Sequence, residues 1–245
     1  MRGRDEDMRR YWDARAREDA FFFVDSRQPY RSPDTDRFWA VEDAMNSLLG
    51  GLGVELRRTD TVLEIGCGLG RITRVLGDRA RRVIALDISQ EMLARARRHN
   101  PGLHNVQWLL GDGVSLAGVP DGTIDACVSV VVLQHMPDPS LTLGYVREVG
   151  RTLRPDGWAV LQVSNDLRGH RRRVGLRHRV KALTGQAPRG LTHSAWIGSA
   201  VGLDALRGGA QDGGMDVEAV SGEGSVFCQV LLRKRSDDPP RPRSA

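Results

Sequence analysis

The residues from Glu64 to Arg71 read Glu-Ile-Gly-Cys-Gly-Leu-Gly-Arg, and their types and spacing suit the cradling of a nucleotide-like ligand. Val62, Leu63 and Ile65 read as a buried strand, and Arg71 to Leu76 open a helix. Glycine lets a backbone come close to a ligand and adopt positive φ, while a fresh helix end offers unpaired N–H groups. Gly66, Cys67, Gly68 and Gly70 are therefore a candidate cradle at the carboxyl end of a first strand, with Arg71 behind it. Glu64 adds a carboxylate just ahead of the first glycine. A dinucleotide fold asks for Gly-x-Gly-x-x-Gly, and its third glycine would fall on Arg71. That pattern fits poorly.

Asp87 supplies the next chemical group. It ends the apolar run Val83-Ile84-Ala85-Leu86, 17 residues after Gly70, where a second strand–helix unit places an acid able to accept from both hydroxyls of a ribose. Ser89 can cap a helix Gln90–His99 that has Glu91 in its first turn. NAD enzymes place an acid at the same point, so Asp87 marks a nucleoside site without choosing the cofactor. A third unit, Val106 to Gly113, is a strand ending in Gly111-Asp112-Gly113. A fourth carries Val128-Ser129-Val130-Val131-Val132 and then Leu133-Gln134-His135-Met136-Pro137-Asp138. A fifth begins Leu153-Arg154-Pro155-Asp156-Gly157 and runs to Val163.

In this order the five units resemble the class I S-adenosylmethionine-dependent methyltransferases over about residues 55–165. The glycine run resembles the family's motif I, Glu/Asp-x-Gly-x-Gly-x-Gly. The fourth unit resembles the family's Leu-x-His-x-x-Asp turn, and the fifth its Leu-x-Pro-Gly-Gly turn, with Asp156 where glycine is usual. The resemblance implies S-adenosyl-L-methionine as cofactor. It implies contacts from Glu64, Gly66, Cys67, Gly68, Gly70, Arg71, Asp87, Ile88, Met92, Asp112, Gly113, Val130 and Val131, with Asp112 on the adenine amino group. Trp12 is a further candidate, as a roof from the amino-terminal helix; Tyr11, Phe38, Trp39 and Trp196 could serve a similar purpose or simply pack in the core. The fold implied is α/β: a doubly wound, seven-stranded Rossmann-like sheet of order 3-2-1-4-5-7-6 with an antiparallel carboxyl-terminal strand.

The implied reaction is methyl transfer to an oxygen or nitrogen of a small-molecule acceptor in bacterial metabolism. A sulfonium methyl is already activated, so the protein's task is to hold a nucleophile in line and away from water. A general base is needed only if the nucleophile must lose a proton. His135, at the carboxyl end of the fourth strand, is the candidate catalytic residue; its alternative role is to line the cofactor pocket. His170, His178 and His193 fall in a presumed cap, and His99 and His104 read as structural. A nucleic-acid methyltransferase is the runner-up, yet the fourth strand lacks the Asn/Asp-Pro-Pro-aromatic motif and the nucleophilic cysteine such enzymes use. A protein that binds the cofactor without transferring methyl is the third reading.

Alternating strands and helices predict a parallel α/β core. Residues 1–50 read as a helical extension or lid, with one helix over about 5–27 ended by Pro29 and Pro33 and an amphipathic helix Asp36–Leu49. Residues 51–235 are the cofactor-binding domain, within which 165–202 form a cap over the substrate. Strands at about 215–221 and 225–233, linked by Gly222-Glu223-Gly224, signal a terminal hairpin. Residues 236–245, with Pro239-Pro240, read as a disordered tail.

The net charge is +5, but of the 36 basic residues only Lys181 and Lys234 are lysines, and the rest are arginines scattered among 31 acids. One cluster stands out, from Arg168 through His170, Arg171, Arg172, Arg173, Arg177, His178 and Arg179 to Lys181. It reads as a solvated helix face or as a site for an anionic group on the acceptor; nucleic acid is not the expected partner. Cys67, Cys127 and Cys228 lack metal-ligand spacing and read as free thiols. With no apolar run long enough for a membrane span and no signal core near Met1, the expected location is the cytoplasm, with no membrane partner. Nothing in the sequence speaks to the oligomeric state.

Overall fold

The computed structural model describes residues 2–168 and 175–236. In chain order it runs α1 (Arg2–Val24), α2 (Thr35–Trp39), α3 (Glu42–Gly51), β1 (Thr61–Ile65), α4 (Arg71–Arg79), β2 (Arg82–Asp87), α5 (Gln90–His99), β3 (Val106–Leu110) and β4 (Ile124–Ser129). There follow a 3₁₀ turn (Leu133–His135), α6 (Pro139–Thr152), β5 (Leu153–Val163), α7 (Leu176–Leu183), α8 (Ser194–Ile197), α9 (Leu203–Asp212), β6 (Met215–Ser221) and β7 (Cys228–Lys234).

The strands form one sheet of order β3-β2-β1-β4-β5-β7-β6. Pairings from β3 through β5 are parallel, and β7 runs antiparallel to both β5 and β6. Parallel central strands are covered on both faces, which explains why β1 is buried at all five positions instead of alternating. On one face Met45, Leu49, Leu76 and Leu93 from α3, α4 and α5 pack on Val62, Val83 and Val128. On the other, Tyr145, Val149, Leu206 and Ala210 from α6 and α9 pack with Leu63, Ile65 and Leu161. The order reverses between β1 and β4, which opens a crevice at their carboxyl ends where such sheets bind ligands.

Several elements differ from the sequence expectation, each for a tertiary reason. The amphipathic helix expected over Asp36–Leu49 is two helices, because Ala40 and Val41 leave helical backbone. Phe38 packs with Leu69 and Met92 beneath the extension, whereas Met45 and Leu49 pack on the sheet, and one straight helix could not serve both. The extension breaks at Asp19 (φ −167°, ψ 87°), whose carboxylate accepts from the backbone N–H groups of Phe22 and Arg31. It ends at Val24, before either proline, as Asp25 turns into ion pairs with Arg27 and Arg71. The stretch from Asn165 to Gly202, poor in pattern, contains α7 and α8. In the hairpin, β7 begins at Cys228, because Asn165 draws the link into the cap: its N–H donates to Ser225 O and its side chain accepts from Gly224 N. His170 and Arg171–Arg173 of the basic cluster, and residues 237–245 of the tail, lie outside the described residues.

Candidate active site

The glycine turn is shaped by what surrounds it. Gly66 has φ +76°, and a Cβ there would stand 2.2 Å from Val132 Cγ2, so no side chain fits. The N–H groups of Gly66 and Cys67 both donate to Leu86 O, at 2.7 and 3.0 Å, which ties the turn to the end of β2. Asp87 completes that tie. Its Oδ2 accepts from Gly68 N and its Oδ1 from Ser89 N, both at 2.8 Å. Burial raises its carboxyl from the ordinary value to about 6 despite these bonds. Ser89 caps α5 by accepting from Met92 N. Asp13 of α1 then accepts from Ser89 Oγ at 2.6 Å and from Glu91 N at 3.1 Å, so the extension is held to this helix end.

Glu64 is buried and accepts from Thr73 Oγ1 at 2.5 Å, and burial pushes its carboxyl up to about 7. Arg71 reaches the other way, pairing with Asp25 at 2.7 Å while its guanidinium lies 5.1 Å from the Phe38 ring centre. Burial pushes the Cys67 thiol well up, so Cys67 forms wall and not nucleophile.

These groups surround one cavity with about 910 Å³ of empty space, part of it open to solvent. Trp12, Glu64, Gly66, Cys67, Gly68 and Arg71 line it, and so do Asp87, Ile88, Met92, Gly113, Val130, Val131 and His135. Two expected residues stand apart. Gly70 (φ +82°) turns the chain into α4 outside the lining. Asp112 is exposed and closes its own turn, accepting from Val114 N, Ser115 N and Ser115 Oγ, outside the lining. Of the aromatic candidates for a roof, Trp12 lines the cavity, while Trp39 instead stacks on the Arg74 guanidinium at 3.5 Å. Sequence reasoning missed Met8, Phe23 and Val24 of the extension and Tyr145 of α6. The apolar stripe Met8, Trp12, Ala16, Ala20 was a usable signal for the first of these, since four-residue spacing stacks side chains on one helix face.

His135 ends the 3₁₀ turn behind β4, half-buried. Its Nδ1 lies 2.8 Å from Trp196 O, and because a carbonyl can only accept, Nδ1 carries the proton and Nε2 the lone pair in the neutral ring. The Trp196 ring stacks on it at 5.2 Å, and Trp12 meets it edge-on at 5.5 Å. The cap is pressed tightly here: at Gly198 (φ +69°) a Cβ would lie 1.7 Å from Gln134 O. Val131, with φ +60°, is strained for a β-branched residue. There is a second cleft, and Phe23, Val24, Val131 and His135 line both spaces.

Sheet order, reversed strand and a glycine turn tied to a buried acid define a Rossmann-like domain. Residues 63–161 match the family described as "Methyltransferase domain". The chain is 36% identical over 98 residues to malonyl-[acyl-carrier protein] O-methyltransferase of Serratia marcescens, covering 40% of this chain and 36% of that protein. It is 32% identical over 102 residues to 2-methyl-6-phytyl-1,4-hydroquinone methyltransferase of Synechocystis sp., covering 41% and 31% respectively. These alignments span about a third of the length of either relative. Among solved structures the DhpI-SAH complex has a TM-score of 0.62 at 23% identity, covering 97% of this chain and all of that one, a likeness of fold. Over residues 63–161 the chain is therefore similar to methyltransferase domains, on a sheet of the same fold.

Proposed function

We propose that the protein transfers the methyl group of S-adenosylmethionine to a hydroxyl oxygen, or secondarily a nitrogen, of a small molecule, in the cytoplasm. One observation carries this reading: the glycine turn, Asp87 and His135 line one cavity, and four of its lining residues also line a second cleft. The fit to the cofactor rests on the cradle. Gly66 has no room for a side chain, and Asp87 keeps acceptor capacity beyond its two backbone bonds, since a carboxylate has about four lone-pair sites. Asp87 would hold the ribose, Gly66, Gly68 and Glu64 the amino-acid part, and Ile88, Met92 and Gly113 the base. When bound, the cofactor supplies a methyl group already activated for displacement.

The chain's own residues do the rest. Met8, Trp12 and Phe23 cover the cavity and exclude water, which strengthens every electrostatic contact inside. Val131 and His135 hold the boundary where an acceptor in the second cleft meets the first. With Nδ1 committed to Trp196 O, Nε2 of His135 is the atom that takes the acceptor's hydroxyl proton. The names of two kinds of relative, malonyl-[acyl-carrier protein] O-methyltransferase and ubiquinone biosynthesis O-methyltransferase, favour oxygen as the methylated atom. Labelled S-adenosylmethionine incubated with a panel of hydroxylated small molecules tests this. Label moving to an acceptor supports it; binding without transfer to any of them favours a cofactor-binding protein without methyl transfer.

A further inference from the structure

We propose that the second cleft takes an uncharged, hydroxyl-bearing aromatic acceptor, and that Phe227 at its mouth determines that specificity. The inference rests on the methyl-transfer reading above and names the acceptor class for it. The cleft holds about 860 Å³ of empty space, part of it open to solvent. Its polar lining consists of Ser26, Gln134, Ser164 and His135, and no aspartate, glutamate, lysine or arginine lines it among the described residues. Arg168, Arg177, His178 and Lys181, the described members of the basic cluster, are absent from it. A carboxylate or phosphate entering such a space would leave water without meeting a counter-charge, which strongly disfavours a charged guest.

The remaining walls are apolar and rich in rings. Trp196 meets Phe23 edge-on at 5.3 Å and stacks on His135 at 5.2 Å, so this wall of the cleft is a packed set of rings. Gln134 Oε1 already accepts from Gln162 Nε2 at 2.8 Å, so what Gln134 has left to offer a guest's oxygen is its amide donor. Phe227 is 56% exposed on the link between β6 and β7 although it lines the cleft. An aromatic ring left in water at a cleft edge gains burial only when a guest arrives.

Two probes with the same rings and a free hydroxyl group, 2-naphthol and 6-hydroxy-2-naphthoate, compare a neutral with a charged guest. Each is titrated calorimetrically into the full chain saturated with S-adenosylhomocysteine, whose own binding is measured first. The expected result is that 2-naphthol binds at least about tenfold more tightly than its carboxylated counterpart, since the latter must desolvate its charge. Phe227→Ala should weaken 2-naphthol about five- to tenfold with S-adenosylhomocysteine affinity unchanged. Equal or tighter binding of the carboxylate, or binding of neither probe while S-adenosylhomocysteine binds, overturns the acceptor class and leaves the methyl-transfer reading standing. An unchanged Kd for 2-naphthol in Phe227→Ala overturns the role of Phe227. Failure of S-adenosylhomocysteine itself to bind overturns the reading beneath.

Discussion

Arg71, the first residue of α4, holds its guanidinium 2.7 Å from the carboxylate of Asp25, just past the end of α1. This ion pair joins the extension to the glycine turn. Burial works against the Asp25 carboxylate, but hydrogen bonds from Arg27 and the charge of Arg71 bring it down to about 2. A carboxyl lowered on folding contributes stability that is complete above its unfolded pKa, near 4, and is lost as pH falls towards 2. Asp25→Ala should cost about 1.5–3 kcal/mol, the worth of hydrogen bonds to a charged group. For a chain of this size that lowers Tm by roughly 3–12 °C. The loss should be present in full at pH 7, shrink as pH falls below about 4, and vanish only below about pH 2; a pH-independent loss would assign it to packing.

Val131 couples backbone strain to the site. A β-branched residue at φ +60° costs on the order of 1–3 kcal/mol, which glycine relieves against about 0.5–1 kcal/mol of its own flexibility. Val131→Gly should therefore leave Tm unchanged or raise it, yet lower kcat about tenfold through loss of the wall between the two spaces. Thermal melting beside steady-state kinetics checks both halves. A Tm lower by more than a few degrees, with kcat kept, would mean that Val131 serves stability alone.

The extension should respond to the cofactor. Asp13 is bonded to Ser89 Oγ and Glu91 N, and Met8, Trp12, Phe23 and Val24 line the cavity. Binding of S-adenosylhomocysteine should slow amide hydrogen exchange along residues 8–24, since filling the cavity raises the free energy of lifting the helix. Unchanged exchange there would show that the helix serves packing alone.

What the sequence made legible was local. Strand, glycine turn and helix follow one another within a dozen residues, and Ser89 caps α5 as its type and place suggest, accepting from Met92 N. Asp87 could be picked out for the same reason, because the repeat of strand and helix sets its distance from the turn. The rest depends on partners distant in the chain. The break between α2 and α3 comes from two separate packing surfaces, and the bend at Asp19 from a bond to Arg31 N. Asp112 turns onto its neighbours Val114 and Ser115, an alternative that Gly-Asp-Gly does not reveal. The partner of His135 is the backbone carbonyl of Trp196, 61 residues away, and a carbonyl leaves no trace in residue type. The second cleft draws walls from α1, the turn after β4, the cap and the β6–β7 link, so no single motif announces it.

His135→Ala should lower kcat by on the order of 10²–10⁴ and leave S-adenosylhomocysteine affinity intact, if Nε2 accepts the acceptor's proton. Weakened cofactor binding with kcat preserved would make His135 a wall of the pocket and leave catalysis to positioning.

Calorimetry of S-adenosylmethionine binding to wild type and Asp87→Ala tests the central claim most directly. The buried carboxyl, raised to about 6, must ionise to accept from the ribose, so wild-type affinity should climb as pH rises from 5 to 7. At pH 7.5 the substitution should cost about 1.5–3 kcal/mol, roughly ten- to hundredfold in Kd. NAD should bind neither protein. Equal affinity of the two proteins for S-adenosylmethionine, or a preference of the wild type for NAD, would contradict the account.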